Sequence, residues 1–349
     1  MIPDFYVDWH MAPKLLILIV FMAIGVFFLV KFCDIFVGAS SSIAKKLHIA
    51  PMIIGLTVVA MGTSCPELAV SVSDSISCLI DNGNANVAIG NVVGSNICNI
   101  VLVLGLSIIF TPIIVKKSSL KKEFPILLVV SALLVGFVLI GGAIAGTYEI
   151  TRWMGIIFIV LIFAYITFLV IDAKRNPVES EEEIKDMKLW KAILFVVIGA
   201  LGIAAGGEFV VFGAKGLAVT GATAMGLNHD LAESLVGLTI VAVGTSLPEL
   251  VTSVMAAKKG ENDIALGNVI GSNIFNILFV LGISATVNPL TTGNEIVVDL
   301  IVMMGITLLL FGFALTKKLD KKMGFVFIAI YVIYLTYLIL RTVGVIPQM

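Results

Sequence analysis

The stretch Gly55–Glu67, GLTVVAMGTSCPE, recurs at Gly237–Glu249 as GLTIVAVGTSLPE, and each copy sets one carboxylate, Glu67 or Glu249, in an otherwise apolar run. The surroundings make that placement costly. The chain is 59% hydrophobic and 13% charged, with a mean hydropathy of +1.13, against about 25% charged residues in soluble domains. It therefore reads as a polytopic membrane protein, where a carboxylate at bilayer depth costs roughly 2.5–3.5 kcal/mol on insertion scales. That cost, incurred twice in duplicated sequence, points to a site needing two negative charges that face each other.

A span needs about 20 mostly apolar residues. Ten segments qualify, near 15–44, 50–74, 86–111, 124–143, 150–172, 190–219, 233–256, 263–287, 296–315 and 323–343. The polar stretch Asp172–Lys191 falls between the fifth and sixth. The expected organisation is an extracellular segment 1–13, a five-helix repeat 14–172, a cytoplasmic linker 173–189 and a second five-helix repeat 190–349. No cleavable-signal pattern is seen, since Met1–Pro13 is mixed and acidic and the apolar run after it exceeds a signal's core. Ten spans place seventeen of the 22 Lys and Arg residues on one side. The positive-inside rule makes that side cytoplasmic and leaves both termini outside, in the plasma membrane. An odd number of spans per half also inverts the second copy. The expected fold class is thus all-α, ten transmembrane helices in two inverted five-helix repeats.

A second motif is duplicated too: Ala88–Asn99, AIGNVVGSNICN, matches Ala265–Asn276, ALGNVIGSNIFN. Polar residues recur every fourth position as Thr63, Glu67, Ser71 and Thr245, Glu249, Ser253, then as Asn91, Ser95, Asn99 and Asn268, Ser272, Asn276. That spacing gives four polar stripes, each on one helix face. Pro66 and Pro248 each precede a glutamate. Proline has no N–H, so carbonyls around Gly62–Thr63 and Gly244–Thr245 lose their helical partners. In lipid, such groups persist where they line a cavity or meet another partner. Carboxylates, carbonyls, hydroxyls and amide oxygens are hard ligands suited to Ca²⁺ and Na⁺. The three histidines are isolated near segment ends, and the cysteines show no disulfide or zinc spacing. Close helix packing is the expected role of Gly90 and Gly267. Asp34 and Glu208 serve either a pathway or an interface, and Asp74, Asp81, Glu295 and Asp299 read as solvated.

With GTSCPE and GNVVGSNICN followed by GTSLPE and GNVIGSNIFN, the chain resembles the two alpha-repeats of the sodium/calcium exchangers in the cation/calcium antiporter superfamily. The resemblance covers nearly the whole chain and suggests a compact prokaryotic-type member, because the short central linker leaves no room for the regulatory insertion of animal exchangers. It implies Ca²⁺ held between Glu67 and Glu249, with backbone oxygens of Thr63 and Thr245 completing the site. It also implies Na⁺ sites using the carbonyls of Ala60 and Ala242 with Ser95, Ser272, Ser64 and Ser246, while Asn99 and Asn276 line the centre. The potassium-dependent branch carries Asp where this chain has Asn276, which argues against K⁺ co-transport. The GTS form, rather than the GNA of the proton-coupled branch, favours Na⁺.

The function expected is secondary antiport of Na⁺ for Ca²⁺ by alternating access, with these ions as substrates and with no cofactor or nucleic-acid partner. The same glutamates would also serve an H⁺/Ca²⁺ antiporter. A cation channel with a glutamate constriction is a more distant alternative. An intramembrane metalloenzyme lacks any repeated His, Cys or catalytic pair.

Overall fold

The computed structural model describes residues 11–80, 87–145, 148–177, 187–224, 242–342 and 345. Apolar stretches this long, placed in lipid, can satisfy their backbone only internally, and helices result. Among the described residues eight helices are long and apolar enough to cross a membrane, and the pair Pro51–Thr63 and Cys65–Ile80, bent by 49°, is apolar and long enough when taken together. The expected span near 233–256 is described only in its pieces Ala242–Thr245 and Leu247–Lys258; its remainder, most of the segment 1–13 and much of the linker lie outside the described residues.

Both breaks fall where the prolines direct them. Ser64 ends the helix Ala60–Thr63 at φ −85°, ψ 9°, and Ser246 precedes Leu247–Lys258 at φ −87°, ψ 3°. The two duplicated segments thus share one backbone geometry, in a sparsely used region between helix and strand.

Two short strand pairs show how the halves are related. β1 (Ile113–Ile114) pairs antiparallel with β4 (Lys318–Leu319), and β2 (Tyr148–Ile150) with β3 (Leu290–Thr292). A single span, Glu123–Ala145, separates β1 from β2, so these strands lie at opposite ends of the molecule. By repeat position β1 corresponds to β3, yet β3 is bonded to β2. Equivalent loops therefore occupy opposite ends, and the repeats are inverted.

The charges follow the same division. At the β1–β4 end Lys116 bonds Asp263, Lys122 bonds Asp172 and Lys259 bonds Asp34, each at 2.6 Å. Asp34 therefore ties the first long helix to the second repeat, while Glu208 is exposed. At the other end Arg152 donates to the Val287 carbonyl at 3.3 Å.

Asp299 departs from the solvated role its sequence position suggests. It is buried, 6% exposed, and accepts from Tyr334 at 3.1 Å and from Arg341 at 3.2 Å. Its partners come from the last helix, Lys321–Thr342, which sequence proximity does not reveal. Arg341→Met should destabilise the protein by about 2 kcal/mol, between the values for exposed and buried pairs. Thermal melts of both single variants and of the Arg341→Met/Asp299→Leu double variant check this. The double variant should recover most of the loss, since it leaves no unpaired charge.

The helices Met11–Leu47 and Leu189–Ala224 pack along each other with their backbones nearly touching. A β-carbon on Gly25 would stand 2.7 Å from the Gly206 carbonyl, and one on Gly206 would stand 2.8 Å from Leu29 N. The pair forms one slab lying against the shorter, broken helices that carry the polar stripes.

Candidate ion-binding site

Glu67 and Glu249 each stand in the first turn after a break, Glu67 in the helix Cys65–Ile80 and Glu249 in Leu247–Lys258, and both are fully buried. The two breaks meet there, because Ser64 of the first bonds the Glu249 carboxylate. Crossing them are the buried stripes of the helices Val87–Cys98 and Asn262–Phe275.

The stripes join within each repeat in the same way. Asn91 Nδ2 donates to Ser71 Oγ at 3.0 Å and to the Glu67 carbonyl at 3.4 Å. Asn268 Nδ2 donates to Ser253 Oγ at 2.9 Å and to the Glu249 carbonyl at 3.5 Å. The two asparagines therefore brace the two glutamate helices, and Ser71 and Ser253 serve as their acceptors.

Across the repeats the bonding is uneven. Ser64 Oγ donates across to Glu249 Oε1 at 2.8 Å, and Ser272 Oγ, from the same repeat as Glu249, reaches that oxygen at 3.3 Å. Thr63 Oγ1 donates to Asn268 Oδ1 at 3.1 Å. Among the described residues neither oxygen of Glu67 has a hydrogen-bond partner, nor do Glu249 Oε2, Asn276 Oδ1, Ser246 Oγ or the side-chain amide of Asn99. Unmet polar atoms are expensive in a dry interior. Six of these are oxygens, the hard ligands that suit Ca²⁺ and Na⁺.

The remaining expected ligands lie on the same elements. Ala60 opens the helix Ala60–Thr63 and is buried, and Ala242 opens its counterpart Ala242–Thr245, whose last residue, Thr245, is half-buried. Ser95 Oγ is drawn to the Val92 carbonyl at 3.1 Å and accepts from Asn276 Nδ2 at 3.1 Å.

Two features exceed the sequence reading. Asn99 and Asn276 each begin a π-helical turn, Asn99–Leu104 and Asn276–Val280. The extra residue in such a turn rotates the following side chains, and these turns collect at functional sites. No periodicity in a uniformly apolar run announces them. Asn96 and Asn273 are the second feature: Asn96 Nδ2 donates to the Asn273 carbonyl at 3.3 Å, and Asn276 Nδ2 reaches Asn96 Oδ1 at 3.4 Å. Their duplication in GSNIC and GSNIF was the available signal.

Inverted repeats, interrupted helices and a buried pair of carboxylates among hard oxygens define a membrane transporter of cations. The comparisons are specific. The chain belongs to the sodium/calcium exchanger protein family, which it matches over residues 17–171 and 191–340. It is 39% identical over 282 residues to the putative antiporter CaxA of Alkalimonas amylolytica, covering 79% of this chain and 82% of that protein. It is 32% identical to the sodium/calcium exchanger MaX1 of Methanosarcina acetivorans, covering 91% and 97%. The solved structure of the sodium-calcium exchanger NCX_Mj, soaked with 10 mM Na⁺ and zero Ca²⁺, superposes with a TM-score of 0.75 at 31% identity, covering 92% of this chain and 99% of that one. The protein is a multi-pass antiporter of Ca²⁺ against a second cation, and not an enzyme.

Proposed function

We propose that the chain exchanges Na⁺ for Ca²⁺, with Ca²⁺ bound between Glu67 and Glu249. One observation carries this reading: two buried carboxylates keep three of their four oxygens without a protein partner among the described residues. Their charge of −2 balances one Ca²⁺. Neutral oxygens from Thr63, Thr245, Asn99 and Asn276 complete the ligand set, and Na⁺ competes for it through Ser64, Ser246, Ser95, Ser272 and the carbonyls of Ala60 and Ala242. An ionised, empty site is costly at low dielectric, so the loaded form is the one that crosses. The uneven bonding supports alternation, because the duplicated halves hold the two glutamates differently and inversion lets them exchange roles. The slab of the two long helices would move across the site to open one side or the other. Repeats 14–172 and 190–349 are joined by a cytoplasmic linker 173–189, with both termini outside the plasma membrane. The chain works without a cofactor.

Proteoliposomes loaded with Na⁺ and diluted into Na⁺-free buffer, with pH equal on both sides, test the coupling. Accumulation of ⁴⁵Ca²⁺ should rise at least about tenfold over Na⁺-free vesicles, the change expected of roughly 1.4 kcal/mol of coupling. Uptake driven by a pH gradient alone would identify a proton antiporter instead, and flux needing no counter-ion would identify a channel.

A further inference from the structure

A groove of about 600 Å³ opens between the helices Glu123–Ala145 and Arg152–Arg175, away from the glutamates. That volume lies within the ordinary range for small-molecule sites. Ile126, Val129, Leu133, Leu161 and Phe168 line its apolar walls, and Lys121 and Lys122 stand at one end. From Glu123 to Leu133 the helix rises about 15 Å, half of a bilayer core of about 30 Å. The groove therefore runs the depth of one leaflet, with its basic end at the surface.

Two observations point to an occupant. The first is charge. Lys122 is neutralised by Asp172 at 2.6 Å, but Lys121 is exposed with no partner among the described residues. Glu123, which opens the helix Glu123–Ala145, is buried and is not part of the lining. The second is shape: beyond its basic end the wall is apolar along Ile126, Val129, Leu133 and Phe168, which suits an acyl chain and leaves a small anion uncovered. A molecule with an apolar chain and an anionic head meets both features.

We propose that this groove binds an anionic glycerophospholipid, one acyl chain lying along Ile126, Val129 and Leu133 and the phosphate at Lys121. The groove also touches the ion site. Leu278 contributes to its lining and belongs to the π-helical turn that begins at Asn276. Lipid in the groove therefore packs against the element that carries Asn276. Binding does not depend on which end is cytoplasmic; only its effect on transport rests on the exchanger reading.

Delipidated full-length protein is titrated with phosphatidylglycerol or phosphatidylcholine and followed by native mass spectrometry and thermal melting. Phosphatidylglycerol should bind with a roughly fivefold preference, the size expected for one lysine meeting an anionic head, and should raise the melting temperature more. Lys121→Glu should erase the preference by reversing the charge, and Ala164→Trp by filling the groove. Ala164 is exposed on the groove wall, so both variants should fold and keep exchange in phosphatidylcholine liposomes. Equal response to the two lipids overturns the proposal, as does a preference that survives both substitutions. So does full reproduction of the stabilisation by inorganic phosphate or by oleate, which would assign the site to a free anion or a single-chain acid.

Discussion

Glu249→Gln should abolish Na⁺-driven Ca²⁺ uptake while leaving the protein folded, and Glu67→Gln should do the same. Each substitution keeps the shape and removes one charge, so a bound Ca²⁺ would sit in a buried site with an uncompensated charge. Opposite unit charges 4 Å apart contribute about 4 kcal/mol at an effective dielectric constant of 20, or about three decades in affinity. Little structure is lost in return. In Glu249→Gln the new amide oxygen can still accept from Ser64 and Ser272, which in the wild type reach Glu249 Oε1 at 2.8 and 3.3 Å. Glu67→Gln replaces a carboxylate with no hydrogen-bond partner among the described residues, and it relieves the repulsion between the pair. In the absence of Ca²⁺ neither variant should melt below the wild type. Saturating Ca²⁺ should raise the melting temperature of the wild type and leave both variants unmoved, because only a state that binds gains stability from ligand. Near-normal exchange in either variant would refute the assignment of the site.

Much of this site was legible because its chemistry is out of place in lipid and is written twice. Glu67 and Glu249 stand out by cost, Pro66 and Pro248 locate the breaks, and the four-residue spacing of the stripes gives the face. The basic residues likewise announce the end at which Lys116, Lys122 and Lys259 form their ion pairs. What stayed hidden depends on neighbours distant in the chain. Gly90 and Gly267 occupy equivalent positions in duplicated motifs, yet a β-carbon on Gly90 meets nothing within 4 Å, whereas one on Gly267 would stand 2.7 Å from the Met52 carbonyl. Equal sequence gave unequal packing because the two repeats meet their surroundings differently. The same reason underlies the difference between Glu67, whose oxygens have no hydrogen-bond partner among the described residues, and the bonded Oε1 of Glu249. The π-helical turns were hidden for another cause: a helix that is apolar all round carries no register against which an extra residue would show.

Gly271→Val should destabilise the protein and lower exchange together. Gly271 lies one residue before Ser272, in the helix Asn262–Phe275, and a β-carbon there would stand 2.7 Å from both Cα and O of Leu56 and 2.8 Å from Ala60 Cβ. Leu56 belongs to the π-helical turn Gly55–Val59, so the obstacle is mostly backbone. A flexible side chain could swing aside; two helices in backbone contact must separate. Overpacking a tight interior costs about 1–3 kcal/mol and sometimes more, and valine at this contact belongs at or above the upper end. Separation also acts on the site directly. It draws Ser272 from Glu249, now 3.3 Å apart, and Thr63 from Asn268, now 3.1 Å apart. In enzyme sites a displacement of about 1 Å can cost 10²-fold, and a loss of that order is expected in Na⁺-driven ⁴⁵Ca²⁺ uptake per folded molecule. Gly94→Val supplies the control. It changes the equivalent position of the other repeat by the same substitution, but its β-carbon meets nothing within 4 Å among the described residues. Melting temperature and uptake measured on both variants decide the matter: equal losses would show that valine itself is the fault, and a loss confined to Gly271→Val would place the close contact between the repeats at the centre of the transport site.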